Sequence, residues 1–340
     1  MNASSFQNRL ETKVSQQLCS QHVGYLLGAG ASYLGGNGYP LAGELWKHIA
    51  TKIPVPERAE IQAKLDGGAD GIEHALDLLD DGAATEKPHR HLVIEAIAEH
   101  FLSITPPTDY HQQFVQRLAS RQELSVPIFC LNYDGLIELA ADVERVRVVD
   151  GFLGLEKPFF EPQSFQELFA LSHRGARKPQ ADWRKGTIHL YKLHGSLGWF
   201  DNGGNDVRRL GLGTPTPTGA KRLMVPPQYR KATDTTSPPY AALWSDFRGL
   251  LCHGPNLLNR LVTIGYGLRD EHLNAVIENA LARSNFTLLA FAQSLTPEVF
   301  ARWSTKKNVV IVTASQCSLN GEIGPGHTDL WSFEELTQRV

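Results

Sequence analysis

Apolar residues along this chain follow two rhythms. Short unbroken runs at Val23 to Leu27, Val126 to Leu131, Leu261 to Ile264, Phe286 to Phe291 and Val309 to Thr313 have the length of strands buried on both faces. Val146 to Val149 adds a shorter run, and Thr187 to Leu193 alternates as a strand does. Between them the spacing changes to that of amphipathic helices: Phe6, Leu10, Val14 and Leu18 over residues 4 to 20, then Leu41, Leu45, Trp46 and Ile49. Ile72, Ala75, Leu76 and Leu79 make another apolar face, followed by Leu92, Val93, Ile97 and Phe101, and by Phe114, Val115 and Leu118. Residues 134 to 142 fit one short helix between two strands, and Leu273, Val276, Ile277, Ala280 and Leu281 share a face after a capping Asp270.

Doubly buried strands alternating with helices predict a three-layer α/β domain on a mostly parallel sheet. No strand pattern interrupts residues 57 to 119. The chain is therefore expected to be a single domain over 1–340, with a helical insertion at 41–120 and a core from 20–40 and 121–315. Pro54 and Pro56 end the helix that starts near Leu41. Pro158, Pro162 and Pro179 punctuate a mixed stretch with one helical piece at Phe165 to Leu171, and a further helix opens at Pro239 or Tyr240. The Gly-, Asn-, Thr- and Pro-rich segment from His194 to Gly219 predicts a long surface loop or hairpin, and the tail after Gln316 a loop and a helical turn.

Composition narrows the function. The 340 residues are 42% hydrophobic and 20% charged, with 33 Lys and Arg against 36 Asp and Glu, a formal charge of -3. Such a balance gives no general attraction for nucleic acid or an anionic membrane. The N-terminal MNASSFQNRLETK lacks the apolar centre of a signal peptide, and no run approaches the roughly 18 apolar residues of a membrane span, so a cytoplasmic location is expected. Cys19, Cys130, Cys252 and Cys317 are far apart and form no C-x-x-C pair, which suggests neither a zinc site nor a disulfide framework.

The candidate chemistry lies at strand ends. Gly28-Ala29-Gly30-Ala31-Ser32 breaks the first strand; Gly28 and Gly30 can take up φ > 0 and have no Cβ in a ligand's way, so a diphosphate could lie on the amides of residues 29 to 32. The third glycine of a dinucleotide fingerprint is replaced by Tyr33, and a tight turn would look the same. Asn132 can donate to and accept from a ribose hydroxyl or a water, or cap the helix behind it; Asp134 is an equal candidate for that cap. His194 ends a strand beside Gly195 and can accept a proton near neutral pH, or be a packed histidine. Gly265-Tyr266-Gly267 could admit an adenosine, with Arg269 or Asp270 meeting its sugar or phosphate, while Asp270 serves equally as a helix cap. In a parallel sheet these four strand ends share one rim.

LLGAGAS at 26 to 32 with Tyr39-Pro40, LNYD at 131 to 134, KLHGSLGW at 192 to 199 and IGYGLRDEHLNAVI at 264 to 277 together resemble the Sir2 superfamily, most closely its bacterial Sir2-like branch found in antiphage defence. The resemblance implies a Rossmann-like core with Gly28, Ala29, Gly30, Ala31 and Ser32 in the pyrophosphate and ribose pocket for NAD, and Asn132 and Asp134 beside the nicotinamide ribose. It makes His194 the catalytic histidine, with Asn132 orienting water or ribose, and places Gly265 and Tyr266 in a later cofactor-binding loop. Zinc-bearing sirtuins read T-Q-N-x-D where this chain has Cys130-Leu131-Asn132-Tyr133-Asp134, and they carry four cysteines after the histidine where this chain has two, Cys252 and Cys317. No zinc module is therefore expected.

The resemblance then implies that NAD is a substrate hydrolysed to nicotinamide and ADP-ribose, in the manner of defence effectors that deplete NAD. NAD-dependent protein deacylation and a non-catalytic NAD- or ADP-ribose-binding module are the alternatives. The resemblance also implies an oligomer, or control by a separate partner such as a HerA-like ATPase or an Argonaute-like protein.

Overall fold

The longest apolar runs lie at the centre of one sheet in the computed structural model, which describes residues 3–69, 71–80, 88–121, 123, 125–166, 186–225 and 237–340. The strands among them are β1 (Val23–Leu27), β2 (Ser125–Cys130), β3 (Val148–Val149), β4 (Phe152–Leu153), β5 (Phe159–Phe160), β6 (Thr187–Lys192), β7 (Gly195–Asp201), β8 (Val207–Arg209), β9 (Lys221–Met224), β10 (Arg260–Ile264), β11 (Thr287–Phe291), β12 (Val309–Val312), β13 (Gln316–Leu319) and β14 (Glu322–Pro325). The helices are α1 (Ala3–Leu18), α2 (Ala29–Tyr33), α3 (Ala42–Ile49), α4 (Val55–Asp66), α5 (Gly71–Asp80), α6 (Pro88–Leu102), α7 (Asp109–Ala119), α8 (Leu136–Glu144), α9 (Tyr240–Arg248), α10 (Glu271–Leu281), α11 (Pro297–Ser304) and α12 (Phe333–Leu336).

Nine strands form the main sheet in the order β14-β13-β12-β11-β10-β1-β2-β6-β3. All its pairings are parallel except those that add β13 and β14. Side chains alternate between two cores, as the strand period of two requires. Val23, Tyr25 and Leu27 of β1 face a layer that includes α1, α7, α8 and α12, and Leu26 faces α9, α10 and α11 on the other side. The fold is thus α/β and Rossmann-like, with helices on both faces. From β1 the chain proceeds to β2 and β6 on one side and later returns to β10, β11 and β12 on the other, so the strand order reverses at β1.

Helices α3 to α6 pack mainly on one another through Leu45, Ile49, Ile61, Leu76, Val93 and Ile97, and stand over the carboxyl end of the sheet, where Tyr133 and Leu136 join their core. Pro54 and Pro56 do more than stop α3: Pro54 is the N-cap of α4 and Pro56 sits in its first turn, where a missing N–H costs nothing. Strand β3 pairs with β6 and not with β2, so β6 lies between the two strands that α8 connects.

Of the two alternatives for the segment after His194, the hairpin holds and the surface loop does not: β7 and β8 pair antiparallel, and β7 is a buried interior strand of a second, antiparallel sheet of order β4-β5-β8-β7-β9. Gly195, at φ 80°, turns the chain from β6 into it, and Trp199 packs on Phe152 with ring centroids 5.1 Å apart. In the tail after Gln316 the expected helical turn is α12, but where a loop was expected there is a hairpin, β13 and β14, closed by Asn320-Gly321 at φ 53° and 94°. Positive φ at both central residues is the two-residue turn that Asn-Gly favours. Of the helical piece at 165 to 171, Phe165 and Gln166 are described and the rest lies outside the described residues, as do Pro179 and the prolines at 226 and 227. Among the described residues no helix is long and apolar enough to cross a membrane.

Candidate functional site

Because β10, β1, β2 and β6 are neighbours and parallel, the four segments that end them meet on one edge. A cavity of about 360 Å³ opens there, between the sheet edge and helices α3, α5 and α6. Gly28, Ala29, Ser32, Asn132, Asp134, His194, Gly265 and Tyr266 all line it; Gly30 and Ala31 are not part of its lining.

The glycines serve a purpose other than the expected one. Gly28 is extended, at φ -107° and ψ -176°, and neither it nor Gly30 has positive φ. What excludes a side chain is the neighbouring loop: a Cβ on Gly28 would lie 2.6 Å from the Gly265 carbonyl oxygen, and one on Gly30 would lie 2.7 Å from Gly265 Cα. Gly265 itself is left-handed, at φ 64°. The turns after β1 and β10 therefore touch backbone to backbone, and the Gly28 amide donates to Ile264 O (2.9 Å) and the Gly30 amide to Gly265 O (3.0 Å). Ala31 N donates to Gly28 O (3.0 Å). Two of the four amides expected to hold a diphosphate, those of Gly30 and Ala31, are thus engaged within the protein.

Asn132 is buried and does not cap the helix behind it. Its Nδ2 donates to Gly28 O (3.0 Å) and to Ser32 Oγ (2.8 Å), tying the end of β2 to the glycine turn. With both donor hydrogens used, the group it can offer the cavity is the acceptor Oδ1. Asp134 takes the role of local brace, its Oδ1 accepting from Leu136 N (3.1 Å). Its Oδ2 is buried with no hydrogen-bond partner among the described residues. Behind it Lys192 Nζ donates to Asp134 O and to Glu138 Oε1 (3.1 Å). Burial would lower the pKa of that ammonium, but the facing charges of Glu138, Cys130 and Asp134 outweigh it and hold the pKa above its ordinary value. Tyr39, stacked on Phe101 at 4.5 Å, completes this wall; burial and then the charge of Asp134 raise the pKa of its phenol.

His194 is 5% exposed, and its carbonyl accepts from Val225 N (2.9 Å). Across the cavity Asp270 Oδ2 lies 3.6 Å from His194 Nε2. That is too long for a hydrogen bond and close enough for the carboxylate to attract an imidazolium. The same carboxyl caps α10, its Oδ1 accepting from His272 N (3.0 Å) and Leu273 N (3.3 Å). The two readings of Asp270, helix cap and site residue, therefore combine, one oxygen to each. Facing His194 is the part that sequence could not show, since 76 positions separate the pair and no motif links them. Arg269, Glu271 and Tyr39 also border the cavity. Among the described residues there is no group of three or more His, Cys, Asp or Glu that could hold a metal ion.

The sequence profile of the SIR2-like domain matches residues 127–312, just over half of the chain. A comparison with curated protein sequences gives no match. Among solved structures, the chain is similar to a Sir2 homologue triple mutant in complex with 2′-O-acetyl ADP ribose, at 15% identity over 96% of this chain and 95% of the other, with a TM-score of 0.44. A Sir2 homologue serine-to-alanine mutant in complex with ADP ribose is similar at 14% identity over 96% and 95% of the two chains, with a TM-score of 0.48. The profile match spans β2, β6 and β10 and so takes in Asn132, His194 and Asp270 together; the chain belongs to the SIR2-like domain family.

Proposed function

We propose that this chain is an NAD hydrolase that cleaves the bond between nicotinamide and ribose, with water as acceptor. The observation that carries this reading is the meeting, in one cavity, of the Asn132 amide oxygen, the His194 imidazole and the Asp270 carboxylate beside the glycine turn. The residues fit a dinucleotide in kind. Gly28, Ala29 and Ser32 of the turn line the cavity where a diphosphate would lie, and the acceptors Asn132 Oδ1 and Asp134 Oδ2 suit sugar hydroxyls.

Each residue then has a separable task. The turn at Gly28 to Ser32 fixes the diphosphate and, through it, the reacting carbon. Asn132 accepts a hydrogen bond from the attacking water or from a ribose hydroxyl. As the carbon–nitrogen bond breaks, nicotinamide leaves with the bonding electron pair and is neutral. A water proton passes to His194 and from there to solvent. Asp270 favours the imidazolium that forms. A general base of this kind typically contributes about 10²–10⁴-fold.

We extend the proposal to a role in antiviral defence by NAD depletion, with the activity restrained by self-assembly or by a partner protein. Its support is the likeness of the four motifs to defence-associated relatives. The direct test of the chemistry is nicotinamide release by H194A and N132A. Both variants are expected to stay folded, N132A with a lower unfolding temperature because it loses two buried hydrogen bonds, and both to lose release by at least about 10²-fold. Wild-type turnover by either variant contradicts the assignment.

A further inference from the structure

Helix α10 buries an asparagine on its apolar face. Asn274 is fully buried beside Leu273, Val276, Ile277 and Ala280, where packing alone would favour leucine. Both of its amide groups are used, and both hold the loop that carries Asp270. Nδ2 donates to Leu268 O (2.8 Å), and Oδ1 accepts from the Tyr266 hydroxyl (3.2 Å). The same hydroxyl accepts from Asp270 N (3.1 Å).

That loop needs holding. Leu268 is left-handed at φ 53°, a conformation that a bulky residue seldom adopts, with its side chain in the core. Relaxing it toward negative φ would swing the backbone two residues before Asp270. The Asp270 carboxyl is already fixed at one oxygen by the helix cap. The other oxygen faces His194, and its distance depends on the path of residues 266 to 270.

We propose that Asn274 is a positioning residue for the reaction: through Tyr266 and the Leu268 carbonyl it sets how far Asp270 stands from His194, without touching substrate. The catalytic use of the pair rests on the hydrolase reading above; the positioning itself does not. Other charged or titratable groups on the cavity wall are Asp134, Arg269, Glu271, Tyr39 and Tyr133. None of these is bonded to Asn274 by the two hydrogen bonds described.

The test follows the His194 imidazole by NMR in the whole protein, with the resonance assigned from H194Q. Removing the carboxylate in D270N is expected to move the titration midpoint to lower pH by about 1 pH unit, the effect of losing an opposite charge within 4–6 Å. N274L, which keeps the branched shape with somewhat more bulk and loses both bonds, is expected to move it the same way. The double variant should titrate like D270N alone, because Asn274 acts through Asp270. Y266F, which removes one oxygen from the same chain of bonds, should give a smaller shift in the same direction and serves if N274L does not fold. A wild-type midpoint in folded N274L or Y266F, or a shift that adds in full to that of D270N, overturns the proposal. Nicotinamide release is measured in parallel. Absence of release from the wild-type protein would count against the hydrolase reading, while the titrations would still decide the positioning role.

Discussion

Gly30 carries the clearest consequence at the scale of single residues. Its backbone needs no special dihedral, yet a methyl group there would meet Gly265 Cα at 2.7 Å, and backbone cannot rotate away as a long side chain can. G30A should therefore push the β1 turn off the β10 loop, costing about 1–3 kcal/mol of stability and raising the KM for NAD several-fold. Gly249 is the control: it is helical at φ -58° with nothing within 4 Å of the added atom, so G249A should leave turnover unchanged and raise stability by about 0.4–1 kcal/mol. Denaturant unfolding and steady-state kinetics on the two proteins check this. Sequence located this glycine and misassigned its reason, because a missing Cβ serves a left-handed turn and a close backbone approach equally well. It also located Asn132 and His194. What Asn132 bonds to, and the facing of His194 and Asp270, arise from strands brought together by the sheet and have no local signature.

At the scale of elements, Arg222 joins the helical insertion to the small sheet. Its guanidinium lies over Phe200 at 4.7 Å, donates to Leu197 O and to Thr216 Oγ1 (3.0 Å), and faces Glu95 of α6 at 3.4 Å. The arginine side chain is buried while Glu95 is about one-third exposed, so loss of the cation strands less than a fully buried charge would. R222M keeps much of the stem and is expected to lower stability by about 2–3 kcal/mol, mainly through the orphaned Leu197 carbonyl. A loss under about 0.5 kcal/mol in denaturant unfolding would show that packing alone joins these elements. The long parallel strands and α1, α3 and α10 were legible because burial imposes a strict period. Of the small sheet only a hairpin after His194 was: β4, β5 and β8 are two or three residues long, and the pattern of β7 is obscured by Gly195 and Gly198. The terminal hairpin carries a local signal in Asn320-Gly321, but its strands of four residues are too short to show a clear alternation.

For the molecule as a whole, buried histidines set the response to acid. Burial pushes His111 and His189 down to about 4, so both are neutral in the folded protein at pH values where the unfolded chain is protonated. Stability is full above about pH 6.5 and falls as the pH drops toward 4, by up to about 3 kcal/mol for each residue. Asp246 acts in the opposite sense. Burial raises its carboxyl to about 6, so it gains a proton on folding between about pH 4 and 6, and its partial exposure weakens that effect. Burial raises the Glu138 carboxyl as well, but both carboxyls keep partial exposure, so the two buried imidazoles outweigh them and a net loss of stability toward acid is expected. Thermal unfolding between pH 7 and pH 4.5 should show a steep decline that is flatter in H111Q/H189Q, whatever the absolute stability of that variant. An equal slope in both proteins contradicts the assignment.

The same three-layer frame brings the glycine turn, Asn132 and the His194–Asp270 pair to one rim, and its chemistry can be measured directly. Purified protein is incubated with NAD and no acylated peptide, alone and with candidate partners, and the products are separated by chromatography. The predicted result is release of nicotinamide and ADP-ribose in equal amounts, lost in H194A. Release that occurs only when an acylated peptide is added, or tight binding of NAD with no product under any of these conditions, would contradict it.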